Sequence, residues 1–149
     1  EYNKPSRFEA LLEVNGLKFA LAHVSWPWHD ECIAVYGKFL NAYTWRKDLS
    51  VEMFIDIAPR TPPLYRKEVL TKLYCIGYDI ENNLLFGTDS NVNDYNIKWL
   101  KDWLKRDQDI LAELDVKEEA KEALYGKNLL RFVNEYDGIV AKKLLVTGE

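Results

Sequence analysis

Three short apolar runs predict β-strands. They are LKFALA at residues 17–22, VEMFIDI at residues 51–57 and LLFGTDS at residues 84–90. The second run places alternate apolar side chains on one side, as a strand does. The third begins with three apolar residues in a row, which is typical of a strand buried on both faces of a parallel sheet.

Apolar residues recur at helical spacing between and after these runs. This pattern predicts helices at residues 5–15, about 30–43, about 63–76, 93–114 and about 116–125. Asp30 and Thr61 are predicted helix caps, and Pro63 suits a first helical position. Since strand and helix alternate three times, we expect an α/β fold with a parallel sheet and right-handed crossovers.

Composition restricts the class of protein. The chain has 149 residues, of which 48% are apolar and 30% charged, as in one globular domain. A net charge of −4 gives no electrostatic reason to expect nucleic-acid or membrane partners. Cys32 and Cys75 fall in predicted helices without metal-ligand spacing, so we expect reduced core thiols and a cytoplasmic location.

Two polar residues follow predicted strands at the ends where α/β proteins bind ligands. His23 follows the first run, and Asp89 follows Gly87 in the third. An acid buried at a strand end is costly unless it is paired or holds a metal. With one strand between them, we expect the two side chains about 10 Å apart on one rim. The structural alternatives are a helix-capping aspartate and a hydrogen-bonded histidine.

Taken with EALYGKNLLRFV at residues 122–133, the three runs resemble the C-terminal part of the amidohydrolase-related metal-dependent hydrolases. The resemblance extends from about residue 5 to residue 133. It implies a partial (β/α)8 TIM barrel, with three parallel strands that correspond to strands 6–8 and with flanking helices. It also implies a parent enzyme, a hydrolase or related decarboxylase, that acts on a small organic substrate through a metal-activated water.

The resemblance also implies a metal site. His23 matches the family's strand-6 histidine and Asp89 its strand-8 aspartate, so both are candidate catalytic residues and ligands of a divalent metal, with zinc expected. The chain has no His-x-His pair, which the family places after strand 1. We therefore expect a C-terminal piece of a longer protein, with an incomplete site and no activity of its own.

The loops offer further candidates. Trp26 and Trp28 are candidate substrate-binding residues, although packing against the rim is equally compatible with the sequence. Arg60 is a candidate for binding an anionic substrate group, with a solvated loop residue as the alternative. His29 is expected to be a surface loop residue.

Other interpretations remain open. A non-catalytic α/β binding module would keep the sheet without the chemistry. A receiver-like signalling domain would use Asp56 as phospho-acceptor, but the acidic pair expected after its first strand is missing. We expect the barrel portion to cover residues 1–133, and residues 134–149 to form a tail that is a helix or an added strand. Exposed sheet edges predict pairing with a second copy, the tail or a rearrangement.

Overall fold

A parallel three-stranded sheet carries the fold, as predicted. The structure, a computed structural model, describes residues 3–91 and 93–133, so the predicted tail lies outside the described residues. Strands β1 (Lys18–Leu21), β2 (Glu52–Asp56) and β3 (Leu84–Leu85) lie in chain order, with β2 in the centre. The α/β class is therefore confirmed.

Helices connect the strands in the predicted order. The α-helices are α1 (His29–Trp45), α2 (Pro63–Cys75), α3 (Ile97–Glu113), α4 (Glu118–Glu122) and α5 (Asn128–Phe132). A 3₁₀ helix at Pro5–Glu13 precedes β1, a short 3₁₀ turn at Ala22–Ser25 follows it, and a π-helical turn at Ala123–Lys127 joins α4 to α5. Because that turn continues the helix, the predicted end of the last helix at Tyr125 is wrong.

Three predicted helix starts also differ from the structure. The N-cap of α1 is Trp28, and Asp30 lies in the first turn, where its charge complements the helix dipole. The cap of α2 is Pro62 rather than Thr61, whereas Pro63 does occupy the first helical position. The α3 helix begins four residues later than predicted, because the Asn96 side chain accepts a hydrogen bond from the backbone of Trp99.

The sheet is covered on both faces around its central strand. Met53 and Ile55 of β2 point into the main hydrophobic core, together with buried residues of all three long helices. That part of the core includes Ile33, Tyr36, Val69, Leu73, Ile110 and Leu111. On the opposite face, buried Phe54 lies edge-on to Phe132, 5.1 Å between ring centroids. Burial on both faces is typical of a central strand in a parallel sheet.

The chain itself covers the outer edge of β3. Phe86 donates its backbone amide to the carbonyl of Leu124 at 3.2 Å, and the Asn128 side chain donates to the carbonyl of Leu84 at 2.8 Å. The helical residues 118–132 therefore cover this edge in place of a further strand, whereas the sequence analysis expected a second copy, the tail or a rearrangement to do so.

The two cysteines have different environments. Cys32 is buried in the core, and burial raises the pKa of its thiol to about 12. Cys75 at the end of α2 is exposed, so the prediction of two core thiols is wrong for this residue. Within the described ranges, no helix is both long and apolar enough to cross a lipid bilayer.

Candidate functional site

His23 and Asp89 face each other at the carboxyl end of the sheet. The Nε2 atom of His23 lies 4.0 Å from Oδ1 of Asp89, and their side chains are 25% and 32% exposed. The two residues emerge on the same rim, as the sequence predicted. Their separation is much smaller than the expected 10 Å or so, which would need a long side chain or a bound ion to bridge.

Left-handed backbone accompanies this close approach. His23, Val24 and Ser25 have φ of 54°, 51° and 55°, and Asp89 has φ of 50°. Such conformations cost non-glycine residues roughly 1–3 kcal/mol each, and they persist only where the surroundings hold them. Val24 is completely buried in the core, so its packing helps to hold the turn after β1. Strain of this kind clusters at functional sites.

The loop after β2 orients the His23 ring. Nδ1 of His23 lies 3.3 Å from the carbonyl oxygen of Ala58. A carbonyl oxygen can only accept, so Nδ1 is the donor in this contact, and in the neutral imidazole Nε2 then keeps a lone pair. That lone pair is on the nitrogen that faces Asp89. Two acceptors that face each other in this way attract a proton or a cation between them.

Arg60 joins the site through Asp89. Its Nε donates to Oδ2 of Asp89 at 2.8 Å, which leaves Oδ1 of the same carboxylate facing His23. The Arg60 side chain is 66% exposed. The arginine predicted to bind substrate is therefore at the site, with the aspartate as its partner.

Asp56 is a further acid at this rim. Its Oδ1 accepts a hydrogen bond from the backbone amide of Ala58 at 2.7 Å. Burial raises the pKa of Asp56, while the amides of Ala58 and His23 and the nearby His23 ring act in the opposite direction. The sequence offered the same signal as for Asp89, an acid at the end of an apolar strand, but suggested only a phospho-acceptor role.

A cavity of about 580 Å³ opens beside these residues. His23, Trp26, Trp28 and Arg60, four of the five predicted site residues, line it together with Phe8 of the first 3₁₀ helix. This volume is within the range of small-molecule sites. Phe8 and the two tryptophans give the cavity an aromatic part of its wall, and aliphatic residues of β1 and polar side chains complete the lining.

Trp26 has a packing role as well as a place in the cavity wall. Its ring stacks on His29, 5.4 Å between centroids and 9° between planes, and also contacts Tyr65 at 5.0 Å. The His29 side chain is only 12% exposed, so the prediction of a surface residue is wrong. His29 lies beside Lys72 and Glu68 of α2, away from the His23–Asp89 pair in its contacts.

A metal would find two ligands here. His23 Nε2 and Asp89 Oδ1 are the atoms that would hold a divalent metal here, and a neutral imidazole nitrogen and a carboxylate oxygen are both common zinc ligands. A zinc site needs three or four protein ligands. Among residues 3–91 and 93–133, no cluster of three or more histidine, cysteine or acidic side chains is placed to hold a metal ion. The fit is therefore partial.

Comparison with family models, with curated proteins and with solved structures finds no match to this chain. The resemblance to the amidohydrolase-related hydrolases therefore stays a prediction that depends on the four sequence motifs. The geometry of the rim is independent of it.

Proposed function

We propose that this chain is the C-terminal portion of a metal-dependent hydrolase of the amidohydrolase-related type. In this proposal β1, β2 and β3 correspond to strands 6–8 of a (β/α)8 barrel, and His23 and Asp89 supply part of a divalent metal site, with zinc as the metal. The supporting observation is the orientation of His23, whose Nε2 faces Asp89 Oδ1 at 4.0 Å while Nδ1 is held by Ala58.

Each residue has a definite task in this proposal. A divalent metal supplies Lewis acidity, which makes a water molecule a better nucleophile near neutral pH. Asp89 presents Oδ1 toward the metal position and can accept a proton there, while Arg60 holds Oδ2. The aromatic cavity wall holds a small organic substrate beside the Arg60 guanidinium. In the family that the sequence resembles, further ligands follow other strands of the barrel, among them the His-x-His pair after strand 1, so the portion that corresponds to strands 6–8 would be inactive alone.

The same proposal implies a cellular location and a set of partners. The enzyme would work in the cytoplasm on small molecules, with neither nucleic acid nor membrane as a partner. A homo-oligomer would form through the outer edge of β1, because the helices cover that of β3.

Zinc affinity tests the proposal directly. We expect isothermal titration of the chain with zinc to show the weak binding of a two-ligand site, which His23→Ala and Asp89→Asn each weaken further by at least about tenfold. His29→Gln changes the other histidine, and Asp102→Asn removes an exposed acid that pairs with Lys98, so both should keep the wild-type affinity. Equal affinities in all five proteins would contradict the proposal.

A non-catalytic binding module is the second candidate. The aromatic cavity and the presence of only two facing ligands among the described residues favour it. In that case a small aromatic carboxylate would quench tryptophan fluorescence with the same affinity in the presence and absence of a chelator. At a metal-dependent site the chelator would lower the affinity for the carboxylate.

The sequence also left open a receiver-like domain. Such a domain would be labelled by acetyl phosphate at Asp56.

A further inference from the structure

Asp56 lies at the centre of the rim without a role in the proposed chemistry. It is the last residue of β2, the middle strand, so its carboxylate lies between the ends of β1 and β3. Its Oδ1 accepts the Ala58 amide at 2.7 Å. Burial raises the pKa of Asp56, and hydrogen bonding to the backbone of Ala58 and His23 acts in the opposite direction. A partly buried carboxylate needs such a donor, because less water solvates it.

Asp56 contacts the turn that fixes the His23 ring. The Ala58 amide donates to Asp56, and the Ala58 carbonyl oxygen receives His23 Nδ1 at 3.3 Å. Leu21 pairs with Ile55 in the parallel ladder, so the turn after β1 that contains His23 lies next to the end of β2. His23 has a left-handed φ of 54°, which its contacts must hold. Asp56 is therefore linked to the His23 ring through Ala58.

We propose that Asp56 is a positioning residue that fixes the direction of His23 Nε2 by holding the Ala58 turn, whose carbonyl oxygen receives Nδ1 of the same ring. The hydrogen bond from Nδ1 can orient the ring only if the Ala58 backbone is itself held in place. The importance of this direction for metal binding depends on the proposed function, whereas the positioning itself does not.

Gly87 closes the arrangement from the β3 side. A Cβ atom added there would lie 3.3 Å from Cβ of Ala58 and 3.5 Å from Oδ1 of Asp56. The glycine thus allows the end of β3 to pack directly on the Asp56–Ala58 turn. Gly87→Ala would press on the same turn without changing any charge, so it offers a second way to disturb His23.

Long-range ¹H–¹⁵N NMR of the histidine rings in the metal-free chain tests the positioning. In the wild type we expect the proton of His23 on Nδ1, although free histidine prefers it on Nε2. In Asp56→Asn the hydrogen bond from the Ala58 amide no longer ends on a charged oxygen, and an NH₂ group replaces one of the two carboxylate oxygens. The Ala58 turn should then be held less firmly, and the ring should move toward a mixture of tautomers. The same variant should bind zinc about 10–100-fold more weakly, as is usual when a residue that orients a ligand is changed.

Matched controls separate positioning from folding and from charge. Asp102→Asn removes the same charge from an exposed position on α3 and should leave the His23 signals unchanged. If Asp56→Asn does not fold, as judged by near-ultraviolet circular dichroism, Gly87→Ala carries the test, and the His23 ring signals should shift in that variant.

The outcomes distinguish the two proposals. An unchanged His23 tautomer in the folded Asp56→Asn and Gly87→Ala variants overturns the positioning role, whether or not the wild type binds zinc. A shifted tautomer in the variants supports the positioning role even when the wild type binds no zinc, a result that would overturn only the proposed function.

Discussion

Two arginine–aspartate pairs whose arginines are six residues apart differ in burial and in the number of hydrogen bonds that join them. Arg60 and Asp89 meet through one hydrogen bond at the rim, with side chains 66% and 32% exposed. Arg66 and Asp107 meet through two, at 2.8 and 2.6 Å, and both side chains are completely buried. The first pair can exchange partners with solvent or ligand, whereas the second cannot.

The buried pair anchors helices to the sheet. Arg66 of α2 donates to Asp107 of α3 and also to the carbonyl of Ile57, at the end of β2. Its guanidinium lies 5.2 Å from the centre of the Trp103 ring. A buried ion pair adds little net stability compared with apolar side chains at the same two positions. Removal of one partner, however, leaves a buried charge without a counter-charge. The segment that follows β2 and forms part of the rim therefore cannot shift without breaking the hydrogen bond between Arg66 and Ile57.

Asp107→Ala gives the largest expected effect, because it leaves the Arg66 charge buried without a partner. We expect it to lower the free energy of unfolding by about 3–5 kcal/mol, as measured by urea denaturation. The double variant Arg66→Met with Asp107→Leu should recover most of this loss, since it removes both charges. A loss below about 1 kcal/mol in the single variant would mean that the pair behaves like a surface contact.

Cysteine alkylation extends the comparison to the core. In the folded wild type only Cys75 should react with iodoacetamide at about pH 8, because burial shields Cys32 and raises its pKa to about 12. In Asp107→Ala, labelling of Cys32 should be more than about a hundredfold faster, since each 1.4 kcal/mol changes the open population roughly tenfold. Mass spectrometry of the labelled peptides measures both rates; equal rates in wild type and variant would contradict the anchoring role.

Arg60→Ala should change stability little. An exposed pair contributes about 0–1 kcal/mol, so the urea midpoint should stay close to that of the wild type. Asp102→Asn, which breaks an exposed pair within α3, serves as the reference for such a loss. A destabilisation above about 2 kcal/mol would show that Arg60 is structural and would remove the contrast between the two pairs.

The smallest effect is expected at Lys72. Hydrogen bonds from Lys72 lower the pKa values of Asp30 and Glu68 from their usual 3.8 and 4.5. The stability from these contacts is present above the pKa values of the unfolded chain and is lost as pH falls through the lower folded values. The difference in melting temperature between wild type and Lys72→Met should therefore shrink as the pH falls below these values. A difference independent of pH would contradict this linkage.

The sequence predicted three parallel strands and the rim, because apolar runs and polar strand ends are local signals. It placed the third strand at residues 84–90, whereas β3 covers only Leu84–Leu85. It did not predict how closely His23 approaches Asp89. Three consecutive left-handed residues, none of them glycine, produce the turn after β1, and the sequence gives no sign of it.

Contacts between distant segments explain the other differences. Asp107 lies in a helix whose charged residues suggest a solvated face, yet a partner 41 residues away in α2 buries it. The last predicted helix ends at about residue 125, before Gly126, but the helical run continues to Phe132. Asn128 in the last part of this run donates a hydrogen bond to the edge of β3. The burial and secondary structure of such residues are determined by tertiary packing, which overrides local sequence preference.

The most direct test of the account is long-range ¹H–¹⁵N NMR of the two histidine rings during a zinc titration. The account predicts that the Nε2 signal of His23 shifts on zinc addition while Nδ1 keeps its proton, and that Asp89→Asn abolishes the shift. Zinc that coordinates His29, or a His23 Nε2 signal that does not respond at saturating zinc, would contradict the claim that His23 and Asp89 share a metal.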